Sequence, residues 1–159
     1  MGPRGCGSCR RHIGRSGLPC KAAMNRALQA RFWNIGFQGE HMSASIERFG
    51  TGPRLSQAVA YGDTVYLSGQ VATASAGRSV TEQTWEVLKG IDHWLAQAGS
   101  DKSKILSAGV FITDIATFAE FNAVWEAWVP AGQTPARTTI ETKLASPNYA
   151  IEVSVIAAR

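Results

Sequence analysis

Pro135-Ala136-Arg137-Thr138-Thr139-Ile140-Glu141-Thr142-Lys143-Leu144 and, a few residues on, Ile151-Glu152-Val153-Ser154-Val155-Ile156 read as two late strands. β-Branched residues dominate both runs, and side chains alternate between the two faces of a sheet along a strand. In the first run that alternation sets Ile140, Thr142 and Leu144 on one face and Arg137, Thr139 and Glu141 on the other. In the second it sets Ile151, Val153 and Val155 against Glu152, Ser154 and Ile156. With the apolar faces packed on helices, Arg137 and Glu152 are expected to emerge together on the opposite, more polar face. A cation and a carboxylate would then lie within reach of each other and of a small acid.

The segments upstream supply the rest of such a sheet. Ile46 to Phe49 reads as a short strand closed by the turn cluster Gly50-Thr51-Gly52-Pro53. Leu55 to Tyr61 and Thr64 to Val71 flank Gly62-Asp63, a two-residue hairpin signal. The second of these places Tyr66, Ser68 and Gln70 on its polar face. Ser79-Val80-Thr81-Glu82 is a capping box that opens a helix with Val80, Val87, Leu88, Ile91, Leu95 and Ala98 on one stripe, ended by Gly99. Ile105 to Thr113 is rich in β-formers. Thr117-Phe118-Ala119-Glu120 reads as a second capping box, opening a helix with Phe121, Val124, Trp125 and Trp128 that Pro130 stops.

The order β, β, β, α, β, α, β, β predicts an α+β fold: one mixed sheet with both helices on one face. The other face would be bare and carry Tyr66, Ser68, Gln70, Thr139 and Glu152. It has too few charges for a solvated surface and too many polar groups for a core. Symmetric association of a few copies would cover it.

Charge divides the 159 residues unevenly. The first 41 hold seven of the 16 Lys/Arg and one of the 12 acids, Glu40, so that segment accounts for the positive sign of the overall formal charge of +4. Residues 42 to 159 are slightly acidic, which removes the composition argument for nucleic-acid binding. Cys6, Cys9 and Cys20 also lie in the opening segment, so disulfides do not hold the remainder. Cys6, Cys9, His12 and Cys20 are residue types that zinc accepts, but one CxxC without a second pair is a weak signal, and no metal is expected. The Arg-rich opening also has the composition of an organelle transit peptide, although its glycines and prolines oppose an amphipathic helix. Against both stands a plainer reading, in which 1–41 is a basic, disordered extension or a mis-assigned start and Met42 opens the folded domain, 42–159. No apolar run approaches the length that spans a bilayer, so no membrane partner is expected and a cytoplasmic protein is.

Five segments together resemble one family. Gly52-Pro53-x-x-x-Gln57, Val65-Tyr66-Leu67-Ser68-Gly69-Gln70, Asp114-Ile115-x-x-Phe118-x-x-x-Asn122, Pro135-Ala136-Arg137 and Ile151-Glu152 are similar, in order and spacing, to the RidA (YjgF/YER057c/UK114) reactive-intermediate deaminases. The resemblance runs from about residue 46 to the C-terminus. It implies a chorismate-mutase-like α+β fold, a homotrimer with three clefts between subunits, and no cofactor. It also implies hydrolysis of 2-imino or enamine acids to 2-oxo acids and ammonia. Matched by position, the carboxylate-binding arginine falls on Arg137 and the acid that handles water on Glu152, while Ser68, Gly69 and Asn122 fall on cleft-lining positions.

The chemistry of these residue types agrees. A guanidinium fork fits a carboxylate with two parallel charge-assisted bonds, and Glu152 could take a proton from water and return it to the departing nitrogen. An Arg137–Glu152 pair at ~4 Å would interact by about 4 kcal/mol at an effective dielectric near 20, which predicts an ionised Glu152 before substrate arrives. Four positions depart from the family pattern: Arg54 replaces a tyrosine beside the cleft, Thr139 replaces a cysteine, and Thr138 and Val153 also differ from the common signature. Arg54 either selects substrates with an acidic side chain or pairs with an acid of the protein. A non-catalytic trimer that binds small carboxylates or shields other proteins would use the same cleft. Ribonuclease activity, attached to some members of the family, finds neither paired histidines nor a basic stripe here, and a serine hydrolase would lack its base.

Overall fold

The computed structural model describes residues 45–159, within the unit Ser43–Arg159. The readings of Cys6, Cys9, His12, Cys20 and the basic opening as zinc site or leader fall outside the described residues. Among the described residues there are seven strands: β1 Ile46–Thr51, β2 Ser56–Tyr61, β3 Thr64–Leu67, β4 Gln70–Val71, β5 Ile105–Ile112, β6 Ala136–Glu141 and β7 Ile151–Ala158. Two helices, α1 Val80–Gln97 and α2 Phe118–Trp128, separate β4 from β5 and β5 from β6. The strands form one mixed sheet in the order β1-β2-β3-β7-β5-β6, with β4 continuing along β7. All pairings are antiparallel except β5 with β6, as the α2 crossover requires.

The core lies on one face of this sheet. Ala58, Ala60, Val65, Leu67, Val110, Ile112, Ile151, Val153, Val155 and Ala157 are buried there with the α1 stripe Val80, Val87, Leu88, Ile91 and Leu95 and with Phe121, Trp125 and Trp128 of α2. Both helices therefore cover the same face, as the element order implies. The α1 capping box forms as read: Ser79 Oγ accepts from Glu82 N at 3.3 Å, and Ser79 N donates to Glu82 Oε2 at 3.3 Å. The second capping box does not form. Thr117 makes no side-chain cap; instead Asp114 Oδ1 accepts from Ala116 N at 2.9 Å and starts a short 3-10 turn, Ile115–Thr117, that leads into α2. An Asx turn upstream satisfies the entry before Thr117 can.

The strand expected over Thr64 to Val71 is broken at Ser68-Gly69. Gln70 resumes pairing opposite Val153 and turns inward, 8 % exposed, rather than joining the polar face. Its Nε2 donates to Ser68 O, Ser68 Oγ and Gln57 Oε1, each at 3.1 Å, so an otherwise buried amide is satisfied by bending the chain back on itself. The opposite face of the sheet is more apolar than expected. Ile46, Tyr61, Tyr66, Ile140 and Ile156 lie on it at 37 to 55 % exposure.

Two polar side chains fasten α1 to the loops around the sheet. Gln83, 1 % exposed, donates through Nε2 to Arg78 O and Asn148 O at 3.0 and 3.1 Å and accepts from Ala150 N at 2.9 Å. Replacing Gln83 by Leu leaves Arg78 O and Ala150 N without partners, while Asn148 O keeps its bond from Gly77 N, and is expected to cost about 2–4 kcal/mol in denaturant unfolding at fixed protein concentration. Glu86 accepts from Ala74 N at 2.8 Å, Ser75 N at 2.7 Å and Ser75 Oγ at 2.6 Å. Burial pushes its carboxyl upward, but these bonds outweigh burial and hold it below the usual carboxylate range. Since the folded protein favours the charged form, this stabilisation is present above the unfolded value and is lost as pH falls through the lower folded one. Melting curves of the native protein and Glu86→Gln should therefore differ by a constant interval near neutrality, and that interval should shrink below about pH 4.

Candidate active site

Arg137 stands second in β6, paired with Ala108 of the parallel neighbour β5. Ala108 is buried in the core, and opposed residues in neighbouring strands share a face, so Arg137 projects toward α2. There Nη2 donates to Asn122 Oδ1 at 2.8 Å. The rings of Phe118, Phe121 and Trp125 surround the guanidinium, with centroids 5.6, 5.2 and 5.3 Å from Cζ. Partial burial lowers the basicity of Arg137, opposed by the charge of Glu126. The cation is held by aromatic faces and one amide rather than by a carboxylate. Among the described residues the Asn122 bond is its only hydrogen bond from the side chain, so Nε and Nη1 keep donors for another acceptor.

Glu152 has the opposite orientation. Its neighbours Ile151 and Val153 are fully buried on the core side, and Glu152 pairs with Phe111 of β5 and Val71 of β4 on the other face. Its carboxylate lies over Gly69: a Cβ at that position would collide with Glu152 Oε1 and come within 2.7 Å of Cδ. Ser68, the residue before Gly69, donates through Oγ to Gln57 Oε1 at 3.2 Å and to Gln57 O at 3.3 Å. Gln57 thus gathers Ser68 and Gln70 behind the Gly69–Glu152 contact.

The expectation that Arg137 and Glu152 share a face is therefore corrected: within one chain they lie on opposite sides of the sheet. β6 ends at Glu141, so Thr142 and Leu144, which supplied most of the apolar phase in the sequence reading, are outside the strand. Ile140 alone remains of that set, and it is 49 % exposed on the bare face. Thr139, opposite buried Val110, lies on the Arg137 side and is likewise absent from the bare face. The electrostatic pairing expected between Arg137 and Glu152 does not operate inside one chain.

The candidate residues consequently fall into two groups. Arg137, Asn122 and Thr139 belong to the α2 side of β6, whereas Glu152, lying over Gly69, belongs to the other face at the β3–β4 break, where the Ser68 side chain bonds to Gln57 and the inward-turned Gln70. Arg54 lies near the second group, on the β1–β2 loop that borders a groove with Gln57. The sequence reading missed the aromatic enclosure of Arg137 and the role of Gln57 as a hub. Phe118, Phe121 and Trp125, on one helical face with Asn122, were the available signal for the first. Among the described residues no group of three His, Cys, Asp or Glu side chains could hold a metal, and no helix is long and apolar enough to cross a membrane.

Comparison with known proteins matches this architecture over nearly all of the described residues. The family described as Endoribonuclease L-PSP matches residues 46–159. A RutC family protein of Haemophilus influenzae is 39 % identical over 113 residues, covering 71 % of this chain and 97 % of its own length. The RutC family protein YoaB of Escherichia coli is 38 % identical over 114 residues, covering 72 % and 98 %. Among solved structures, a YjgF family member from Neisseria meningitidis is 42 % identical with a TM-score of 0.69, covering 74 % of this chain and 97 % of its own. A Salmonella typhimurium structure described as a putative translation initiation inhibitor is 38 % identical with a TM-score of 0.67, covering 74 % and 100 %. With the sheet, the two helices and these identities in agreement, the chain belongs to the YjgF/RutC family, whose members match the Endoribonuclease L-PSP description.

Proposed function

We propose that this protein hydrolyses reactive 2-imino acids to 2-oxo acids and ammonia at a site shared between two copies of the chain in a homotrimer. The observation that carries the reading is the guanidinium of Arg137, caged by three aromatic rings, bonded to a neutral amide and left with free donors. Such a group calls for an anion with parallel acceptors, which a substrate carboxylate supplies. Because Glu152 lies across the sheet, the acid that completes the site would come from a neighbouring copy. The exposed Ile46, Tyr66, Ile140 and Ile156 on the Glu152 face give that copy an apolar surface to cover.

In this reading Arg137 and Asn122 hold the substrate carboxylate, which fixes the C=N carbon against Glu152 and Gly69 of the adjoining copy. Glu152 removes a proton as water adds to that carbon. It delivers that proton to nitrogen, which has taken up the C=N electron pair, and then carries the second proton from the added hydroxyl to nitrogen as C=O forms and the C–N bond breaks with its electrons going to nitrogen, so that the 2-oxo acid and ammonia leave. Imines already hydrolyse in water, so placement and one proton relay are the contributions required.

The direct test generates 2-imino acids with an amino-acid oxidase and follows their trapping by semicarbazide; the protein should accelerate imine loss, and an unchanged rate would overturn the proposal. Arg137→Ala and Glu152→Gln are each expected to lower kcat/KM by at least about a hundredfold. Co-assembled 1:1, these two inactive variants should recover about a quarter of native activity, because one site in four then joins an intact Arg137 to an intact Glu152. A site confined to one chain would recover none. Gly69→Ala should also lose activity while keeping its melting temperature, since the new methyl displaces a flexible carboxylate rather than backbone. The family description favours ribonuclease as a second reading, yet His93, stacked edge-on against Trp94, is the only histidine among the described residues. RNA cleavage that persists in Arg137→Ala after repurification would support that alternative.

A further inference from the structure

We infer that Arg54 is a specificity-determining residue that selects ligands carrying a second carboxylate, so that the preferred substrates are 2-imino dicarboxylic acids. The inference rests on the proposed deaminase site and names its substrate class.

Arg54 lies on the loop between β1 and β2. Two contacts hold that loop in shape. Gly52 N donates to Leu55 O at 2.8 Å, and Gly50, at φ +57°, lets the backbone pass so near Trp94 that a Cβ would sit 2.5 Å from its Cη2. The guanidinium is thus carried on a defined turn. With Gly50, Gly52, Pro53, Leu55 and Gln57 it borders a groove of about 410 Å³. Gln57 is common to this groove and to the Ser68 network, and the residue after Ser68 is the glycine beneath Glu152. Gln57 and Ser68 thus link the groove to Gly69 beneath Glu152, and in the proposed site the side chain of a substrate anchored through its 2-carboxylate would extend toward it.

The sequence left open whether Arg54 serves a ligand or an acid of the protein. Among the described residues the ion pairs are Arg78–Glu82 and Arg159–Glu47, and Arg54 takes part in neither, nor in any side-chain hydrogen bond. Among the described residues that line the groove there is no other cation or carboxylate, so the Arg54 charge is available to a ligand there. Neutral or basic side chains gain nothing from that arrangement. A side-chain carboxylate gains a charge-assisted contact, while a second arginine elsewhere holds the first carboxylate.

The test uses the full chain and two stable 2-oxo acids of equal length, 2-oxoglutarate and 2-oxopentanoate, titrated by calorimetry, alongside the semicarbazone assay with the corresponding imino acids. The native protein should bind 2-oxoglutarate about tenfold more tightly, and Arg54→Gln should erase that advantage while Arg54→Lys keeps part of it. Equal binding by the native protein, an advantage that survives in Arg54→Gln, or no binding of either acid would overturn the inference. Turnover of neutral imines with no dicarboxylate advantage would leave the deaminase reading standing without this one. An Arg54-dependent binding advantage without turnover would do the reverse.

Discussion

Ala108 of β5 lies between Arg137 on one neighbouring strand and Val155 on the other, and that shared register governs the rest of the molecule. Val155 must face the helices because β7 presents Ile151, Val153 and Val155 to the core. Ala108 and Arg137 follow it onto the same side. By the same alternation Glu152, three residues before Val155, must leave on the other side. A one-residue slip in either pairing would turn every core residue of that strand to solvent, so burial of the central strands locks the two functional groups apart.

The separation explains features that have little meaning in an isolated chain. Arg137 is enclosed by aromatic rings that give it a place to rest without neutralising it, and among the described residues no carboxylate forms an ion pair with it. Glu152 rests over a glycine on a sheet face that also exposes tyrosine and aliphatic side chains. In the proposed function each half is chemically incomplete by itself. Assembly would join the two and would also remove apolar surface from water, so one contact would both stabilise the proposed oligomer and complete its site.

Much of this was legible in the residue order. The α1 stripe, its capping box, the Gly62-Asp63 hairpin, the inward face of β7 and the placement of both helices on one side follow from local periodicity and turn chemistry. The clustering of Arg137 with Asn122, and of Glu152 with Gly69, was not. Both join residues distant in the chain, and only the β5–β6 pairing with its α2 crossover, and the β4–β7 pairing at the β3–β4 break, bring them together. The phase of β6 was misread because Thr142 and Leu144 continue its alternation beyond the point where the strand ends. Gln70 was misplaced because alternation assumes an unbroken strand, whereas hydrogen bonding to Gln57 and Ser68 bends the chain and turns the amide inward.

The amino-acid order by itself determined the α+β class, the order of elements, the family resemblance and the residue types able to grip a carboxylate and move a proton, since these depend on local pattern and side-chain chemistry. Tertiary structure alone decided on which side of the sheet each of those groups stands. That outcome depends on register between strands far apart in the chain, and it is set by which face of the central strands can be buried.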